Sequence, residues 1–172
     1  MSQPTVNVVN AQVTLGGVFP ILRVANLEAS LGYYETQLGF EVQWRSGTVA
    51  SVQRDRAAIM LCQGDQGHAG TWLWIAVSDA DAIYAELQAR GARMRHAPAN
   101  YPWGSRECQI MDLDDHVLRF GSDLRAGEPM GDWLDSSGQR WLPDAGGGWQ
   151  PAVVENKADK GQGNRQKAKG GG

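Results

Sequence analysis

The sequence predicts an α+β fold: two βαβββ modules forming a rolled, cup-shaped mixed sheet, with an N-terminal arm and a C-terminal Trp-rich extension. Three observations carry this reading. Residues 21–42 (ILRVANLEASLGYYETQLGFEV) and 74–95 (WIAVSDADAIYAELQARGARMR) share one order: a β-like run, a polar cap, an amphipathic helix, a glycine and a second β-like run. Asn26 aligns with Asp79, and Gly39 with Gly91, in this internal repeat. Each copy then continues into two further β-like runs. A single unit of this kind has one apolar sheet face that it cannot cover alone, so two pack together.

The arm, residues 1–16, holds a candidate strand at Thr5–Leu15. The first module spans residues 17–66. Asn26 is a natural N-cap, Leu27, Leu31, Tyr34 and Leu38 recur at helical spacing, and Gly39 suits the C′ position. Strands are expected at Phe40–Arg45, Thr48–Arg54 and Ala57–Cys62, with turns at Ser46-Gly47 and near Asp55. The second module, residues 67–123, repeats the scheme with Ser78 or Asp79 as cap, Ala80, Ile83, Tyr84 and Leu87 on one helix face, and Gly91 at the end. Its later strands are Ala92–Arg95, Arg106–Asp112 and Val117–Phe120, separated by a long loop, His96–Ser105, and a tight Asp114-Asp115 turn.

Residues 124–151 form the extension. Asp132–Pro143 reads as a hairpin turning at Asp135–Gly138 that covers a sheet edge or, alternatively, forms a lid over a ligand, followed by a flexible loop at Gly146–Gly148. Residues 152–172 are a basic, low-complexity tail that lacks the apolar periodicity needed to order itself.

Charge is unevenly divided along the chain. The formal net charge is −3, but residues 156–172 hold five basic groups and one acidic group. Residues 1–155 therefore carry eleven basic and eighteen acidic groups, a net of −7, and all eleven bases are Arg. Such a body repels nucleic acid and attracts a cationic partner. No apolar run is long enough to span a membrane, and no basic-then-apolar leader opens the chain, so a cytoplasmic protein without nucleic-acid or membrane partners is expected.

Few residues suggest chemistry. His68, His96 and His116 fall in loop or turn contexts without metal-ligand spacing and read as solvated histidines. Asp112, Asp114 and Asp115 lack the glycine and terminal Glu of a calcium loop. Cys62 and Cys108 are isolated within β-like runs and read as buried free thiols. The chain has seven tryptophans, an unusual number for its 172 residues, and these are the principal candidates for contact with a ligand.

The paired units, the segments FPILRVANLEASLGYYETQLGFEV and TWLWIAVSDADAIYAEL, and above all PWGSRECQIMDLDDHVLRF resemble the vicinal-oxygen-chelate superfamily of glyoxalases, extradiol dioxygenases and bleomycin-resistance proteins. The bleomycin-resistance group is the nearest likeness. The last segment departs from that group's pattern by an added Ser105 and by Leu113 in place of proline. Enzymes of this superfamily hold a divalent metal through His and Glu. The corresponding positions here are Phe19, Leu61, Trp72 and Arg119, none a usual ligand, so no metal and no cofactor are expected.

The resemblance further implies a non-catalytic protein that sequesters a cationic, planar glycopeptide antibiotic in clefts at the interface of a homodimer. Trp74 and Trp103 match aromatic positions lining that cleft, and Trp44 matches a third aromatic position. Trp44, Trp72, Trp74, Trp103, Glu107 and Asp112 are the candidate ligand-binding residues, the two acids as carboxylates for a cation. Pro20 matches a proline ending an N-terminal strand exchanged between subunits and is the candidate arm hinge. Stacking contributes about 0.5–1.5 kcal/mol per aromatic pair and a cation–π contact up to about 2 kcal/mol. Sub-micromolar binding needs roughly −8 kcal/mol, so apolar burial and overall charge must supply the remainder. An enzyme of the same fold, or a binder of another aromatic metabolite, are the alternative readings.

Overall fold

The computed structural model describes residues 17–135, 137–144, 146 and 148–152. The arm, with the strand expected at Thr5–Leu15, and nearly all of the basic tail lie outside the described residues. Two compact units emerge, one formed by the described residues to Pro98 with Glu107–Ser122, the other by Ala99–Arg106 with the described residues from Asp123 onward. Among the described residues, no helix is long and apolar enough to cross a membrane.

The first module contributes β1 (Ile21–Arg23), α1 (Leu27–Thr36), β2 (Glu41–Ser46), β3 (Val49–Arg54) and β4 (Ala57–Cys62), with sheet order β1-β4-β3-β2. The second contributes β5 (Trp72–Ala76), α2 (Ala80–Ala89), β6 (Arg93–Tyr101), β7 (Ser105–Met111) and β8 (Val117–Ser122), in the equivalent order β5-β8-β7-β6. In each, the strand before the helix pairs in parallel with the last strand, Leu22 beside Leu61 and Leu73 beside Leu118. The two βαβββ modules predicted from the repeat are thus present.

The helix ends follow the sequence signals. Asn26 accepts a hydrogen bond from the Ala29 amide at 3.0 Å, and Asp79 accepts from Asp81 and Ala82. Gly39 and Gly91 adopt φ of +71° and +79°, the left-handed conformation that closes a helix and favours glycine.

One hydrophobic core serves both modules. Leu27, Leu31 and Tyr34 of α1 and Leu22, Val52 and Leu61 of the first sheet join Leu87 of α2 and Cys108, Ile110, Leu118 and Phe120 of the second sheet. Cys62 and Cys108 are free and buried. Because strand side chains alternate, the core residues fix the faces of the remainder. Trp72, Trp74, Glu107, Gln109 and Arg119 occupy the second sheet's opposite, concave face, as do Ser51 and Met60 in the first sheet.

His116 departs from the solvated-loop expectation. It is fully buried, its Nδ1 accepting from the Thr71 amide at 3.0 Å and its Nε2 meeting the Arg23 carbonyl at 2.8 Å. It ties the turn before β8 to the start of β5 and the end of β1. His96 lies within β6, not in a loop. The expected long loop is in fact mostly strand, because β6 continues through Pro98 to Tyr101. As the terminal strand in the sheet order, β6 can carry a proline without losing an interior ladder bond.

In the second unit, β9 (Trp133–Leu134), β10 (Arg140–Pro143) and β11 (Trp149–Pro151) form an antiparallel sheet. The hairpin predicted over Asp132–Pro143 is its first half. Asp135 organises the turn, accepting from the amides of Ser137 and Gln139. The Ser137 hydroxyl and then the Trp141 indole hold its carboxyl down to about 2. The segment read as a flexible glycine loop leads instead into β11, with Asp144 accepting from the amides of Gly146 and Gly148.

Candidate ligand-binding site

Trp74 and Arg119 are register partners on adjacent parallel strands, so both project from the concave face of the second sheet. Glu107 reaches this pair from β7. Its Oε1 accepts from the Trp74 indole Nε1 at 3.0 Å, and its Oε2 accepts from Arg119 Nε at 3.0 Å and from Arg119 Nη2. Glu107 is 1% exposed, a burial that a carboxylate tolerates only when neutralised and hydrogen-bonded. The Trp74 ring lies over Gly121: a Cβ there would stand 2.6 Å from the indole, so glycine makes room for the ring. Even so, 53% of Trp74 remains exposed.

A second row runs beside the first. The Arg95 guanidinium lies 5.2 Å above the Trp72 ring, within cation–π range, and its Nε donates to Gln109 Oε1 at 2.9 Å. Glu107 and Gln109 are two apart on β7 and share the concave face. The site thus places two indoles, two guanidiniums, one carboxylate and one amide on one surface. A cavity of about 620 Å³ adjoins β5, with Pro20, Phe40, Ile59, Leu73, Ile75 and Phe120 among its walls and Trp74 also lining it.

The other candidate residues stand elsewhere or play different parts. Trp44 reaches the open face of the first sheet through a β-bulge. Val42 pairs with Val52 of the core face, but the register shifts before Trp44, which pairs with Ser51 of the opposite face. It is 44% exposed. Trp103 belongs to the second unit, where it stacks on Tyr101 with ring centroids 4.5 Å apart and planes within 3°. Trp133 and Trp149 pack against the same pair.

Asp112 serves the fold and is not available as a carboxylate for a cation. It is 1% exposed, with Oδ1 accepting from the amides of Asp114 and His116 and Oδ2 accepting from the Tyr34 hydroxyl at 3.0 Å. Burial, partly opposed by His116, raises its carboxyl above the ordinary value, and burial pushes the Tyr34 hydroxyl well up. Glu107 likewise differs from the carboxylate expected to meet a ligand cation, because Arg119 already neutralises it.

The superfamily's metal positions do not suit a divalent ion. Arg119 brings a cation to one of them, Trp72 carries the Arg95 guanidinium above its ring, and Phe19 has no donor atom. Leu61 requires a correction. It is a core residue with no exposure, and strand alternation makes its neighbour Met60 the concave-face residue, in register with Ile21. Among the described residues, no three or more His, Cys, Asp or Glu gather in a metal-binding group.

Two residues of this surface, Arg95 and Gln109, were not among the sequence candidates. Strand alternation from Glu107 was the available signal for Gln109; nothing local marks Arg95, which is brought to Trp72 by sheet geometry alone.

A mixed pair of βαβββ modules with an aromatic concave face defines a class of paired-module cup folds. The profile of the Glyoxalase/Bleomycin resistance protein/Dioxygenase superfamily matches residues 12–120, and the chain belongs to that superfamily. Among solved structures, the bleomycin resistance determinant encoded on transposon Tn5 is similar, with 19% identity and a TM-score of 0.56 over 64% of this chain and 100% of that one. A bleomycin-binding protein from bleomycin-producing Streptomyces verticillus, complexed with copper(II)-bleomycin, shows 24% identity and a TM-score of 0.56 over 65% and 99%. A glyoxalase/bleomycin resistance protein/dioxygenase from Nocardioides shows 21% identity and a TM-score of 0.54 over 69% and 91%. At these identities the likeness establishes the fold. No curated protein matches the chain.

Proposed function

We propose that this chain is a non-catalytic binding protein that sequesters a planar, cationic glycopeptide antibiotic of the bleomycin type. The observation that carries the reading is the Arg119–Glu107 pair beneath Trp74. Where a metal-dependent relative needs a metal-binding acid, this chain has a guanidinium, and the adjoining carboxylate is engaged in fixing an indole. The surface is therefore equipped to hold a flat ring system and lacks the donor set for metal-assisted bond cleavage.

The cavity beside β5, which Trp74 lines together with apolar Leu73, Ile75 and Phe120 and charged Arg54, Asp79 and Glu86, offers room to bury part of a ligand next to the exposed indole. Attraction for the drug's positive charge comes from the net −7 of residues 1–155, since Glu107 and Asp112 are engaged internally. Trp44, Trp72, Trp74 and Trp103 are the proposed aromatic contacts. The proposal includes a two-fold homodimer with equivalent clefts, Pro20 as the arm's hinge, and residence in the reducing cytoplasm that free Cys62 and Cys108 suit.

Calorimetry with bleomycin tests the reading: binding at micromolar concentration or tighter supports it, and no heat at that concentration overturns it. Trp74→Ala weakens binding more than tenfold on this reading. The same loss in Trp103→Ala would assign Trp103 to the cleft, and wild-type affinity would leave it a purely structural residue of the second unit. Light scattering at the same concentrations reports the dimer.

A further inference from the structure

We propose that Gln109, Arg95 and Trp72 form a subsite for a hydrogen-bond acceptor, a carboxylate or amide carbonyl, attached to the ligand's conjugated plane. The inference rests on the concave face being the ligand-binding surface. It adds that the inner end of this surface recognises negative character, so a ligand's positive charge must point outward into the field of the acidic body.

Gln109 has no exposed surface, and its Nε2 has no hydrogen-bond partner among the described residues. The orientation of its amide is fixed by chemistry. Arg95 Nε is a donor only and faces the Gln109 side chain at 2.9 Å, so the amide oxygen must lie on that side and the NH₂ must face away. A buried amide donor without a partner is costly and calls for an acceptor.

The surroundings state which acceptor fits. Two guanidiniums, Arg95 and Arg119, and the carboxylate of Glu107 stand on this face among the described residues, and a guanidinium beside the amide favours an acceptor. The Trp72 ring lies below the Arg95 guanidinium, with its centroid 5.2 Å away, and offers an aromatic face to a conjugated ring. Arg95 is half-buried and forms the cover over Gln109; its flexible side chain can move from Trp72 to pair with an incoming carboxylate. Asp112, the other candidate carboxylate, lies beside α1 on Tyr34.

Indole-3-acetate and tryptamine carry the same ring with opposite charge, and calorimetry of the full chain with each separates the two chemistries. The proposal expects indole-3-acetate to bind at least about tenfold more tightly. Gln109→Met, close in shape but without the donor, brings the two affinities within about twofold. Gln109→Glu, which provides a second buried variant if the first fails to fold, reverses the preference. Equal or tighter binding of tryptamine, a preference that survives in a folded Gln109 variant, or no binding of either probe overturns the subsite. Bleomycin titrations keep the two proposals separable: wild-type bleomycin binding with no acceptor preference removes the subsite alone, and an acceptor preference without bleomycin binding removes the antibiotic reading alone.

Discussion

Trp74 and Glu107 are joined by a 3.0 Å hydrogen bond that crosses β8, from the indole on β5 to a buried carboxylate on β7. Arg119, on the strand between them, neutralises that carboxylate. The exposed indole is therefore anchored from below by a charge pair, which presets its orientation and would lower the entropy cost of the proposed stacking.

Gly121→Ala tests this anchoring. The added methyl would lie 2.6 Å from the ring, so the indole must lift and its bond to Glu107 must lengthen or break. The expected result is a changed Trp74 emission, isolated by comparison with Trp74→Phe in the same background, and a loss of affinity for planar ligands of about tenfold. Unchanged emission would show that the ring was not held over Gly121.

Removing one member of the buried pair differs from removing both. Arg119→Met leaves the 1% exposed Glu107 carboxyl without its guanidinium partner, and is expected to cost about 2–4 kcal/mol in urea unfolding, below the upper end for a fully buried pair because Arg119 is partly exposed. Glu107→Gln leaves the more accessible partner behind and is expected to cost less. The double variant Glu107→Gln/Arg119→Met should be more stable than the two single losses added together. Strict additivity would mean that the pair contributes no coupling.

Asp112 gives a pH dependence of unusual sign. Its folded pKa lies above its unfolded value of about 3.9 because it is buried, so the folded state binds the proton more tightly. This contribution is fully present below the unfolded value and is lost as pH rises through the folded value. Asp112→Asn cannot titrate. Relative to wild type, the variant is expected to gain stability as pH rises from about 3 to about 7. Denaturant titrations at several pH values check this, and a relative loss over the same range would contradict the assignment.

Asn100 is expected to hold the second unit together. Its side chain donates to the carbonyls of Arg125 and Glu128 and accepts from the Arg125 amide, and its carbonyl accepts from Gly131. Asn100→Ala removes the part-buried side-chain bonds to the Arg125 and Glu128 carbonyls and the Arg125 amide, and should cost about 2–3 kcal/mol. Hydrogen exchange at the Arg125 amide should quicken in the variant. Unchanged exchange there would show that solvent already serves that amide.

Much of the fold was legible because its signals are local. Caps at Asn26 and Asp79, left-handed glycines at 39 and 91, and two periods of apolar spacing each depend on a few neighbouring residues. The length of β6 and the presence of β11 were not legible. Pro98 and the glycines near 146 are loop signals in isolation, and only an edge position or an Asp144 turn makes strands compatible with them. The candidate site was partly legible in the same sense: Trp72 and Trp74 share a face by alternation, as do Glu107 and Gln109.

The amino-acid sequence by itself determined the two modules and their helix boundaries, since these follow from residue type and short-range spacing, and it placed non-ligating residues at Phe19, Trp72 and Arg119, the positions that the superfamily resemblance marks for metal ligands. Tertiary structure alone decided what the polar residues do. Alternation relates residues along one strand and says nothing about which side chains of separate strands meet. The bulge that turns Trp44 to the open face, the burial that commits Asp112 to Tyr34, and the sheet order that brings Glu107 to both Arg119 and Trp74 arise from long-range packing. Those contacts make the acids part of the framework, while Gln109 Nε2 keeps no hydrogen-bond partner among the described residues.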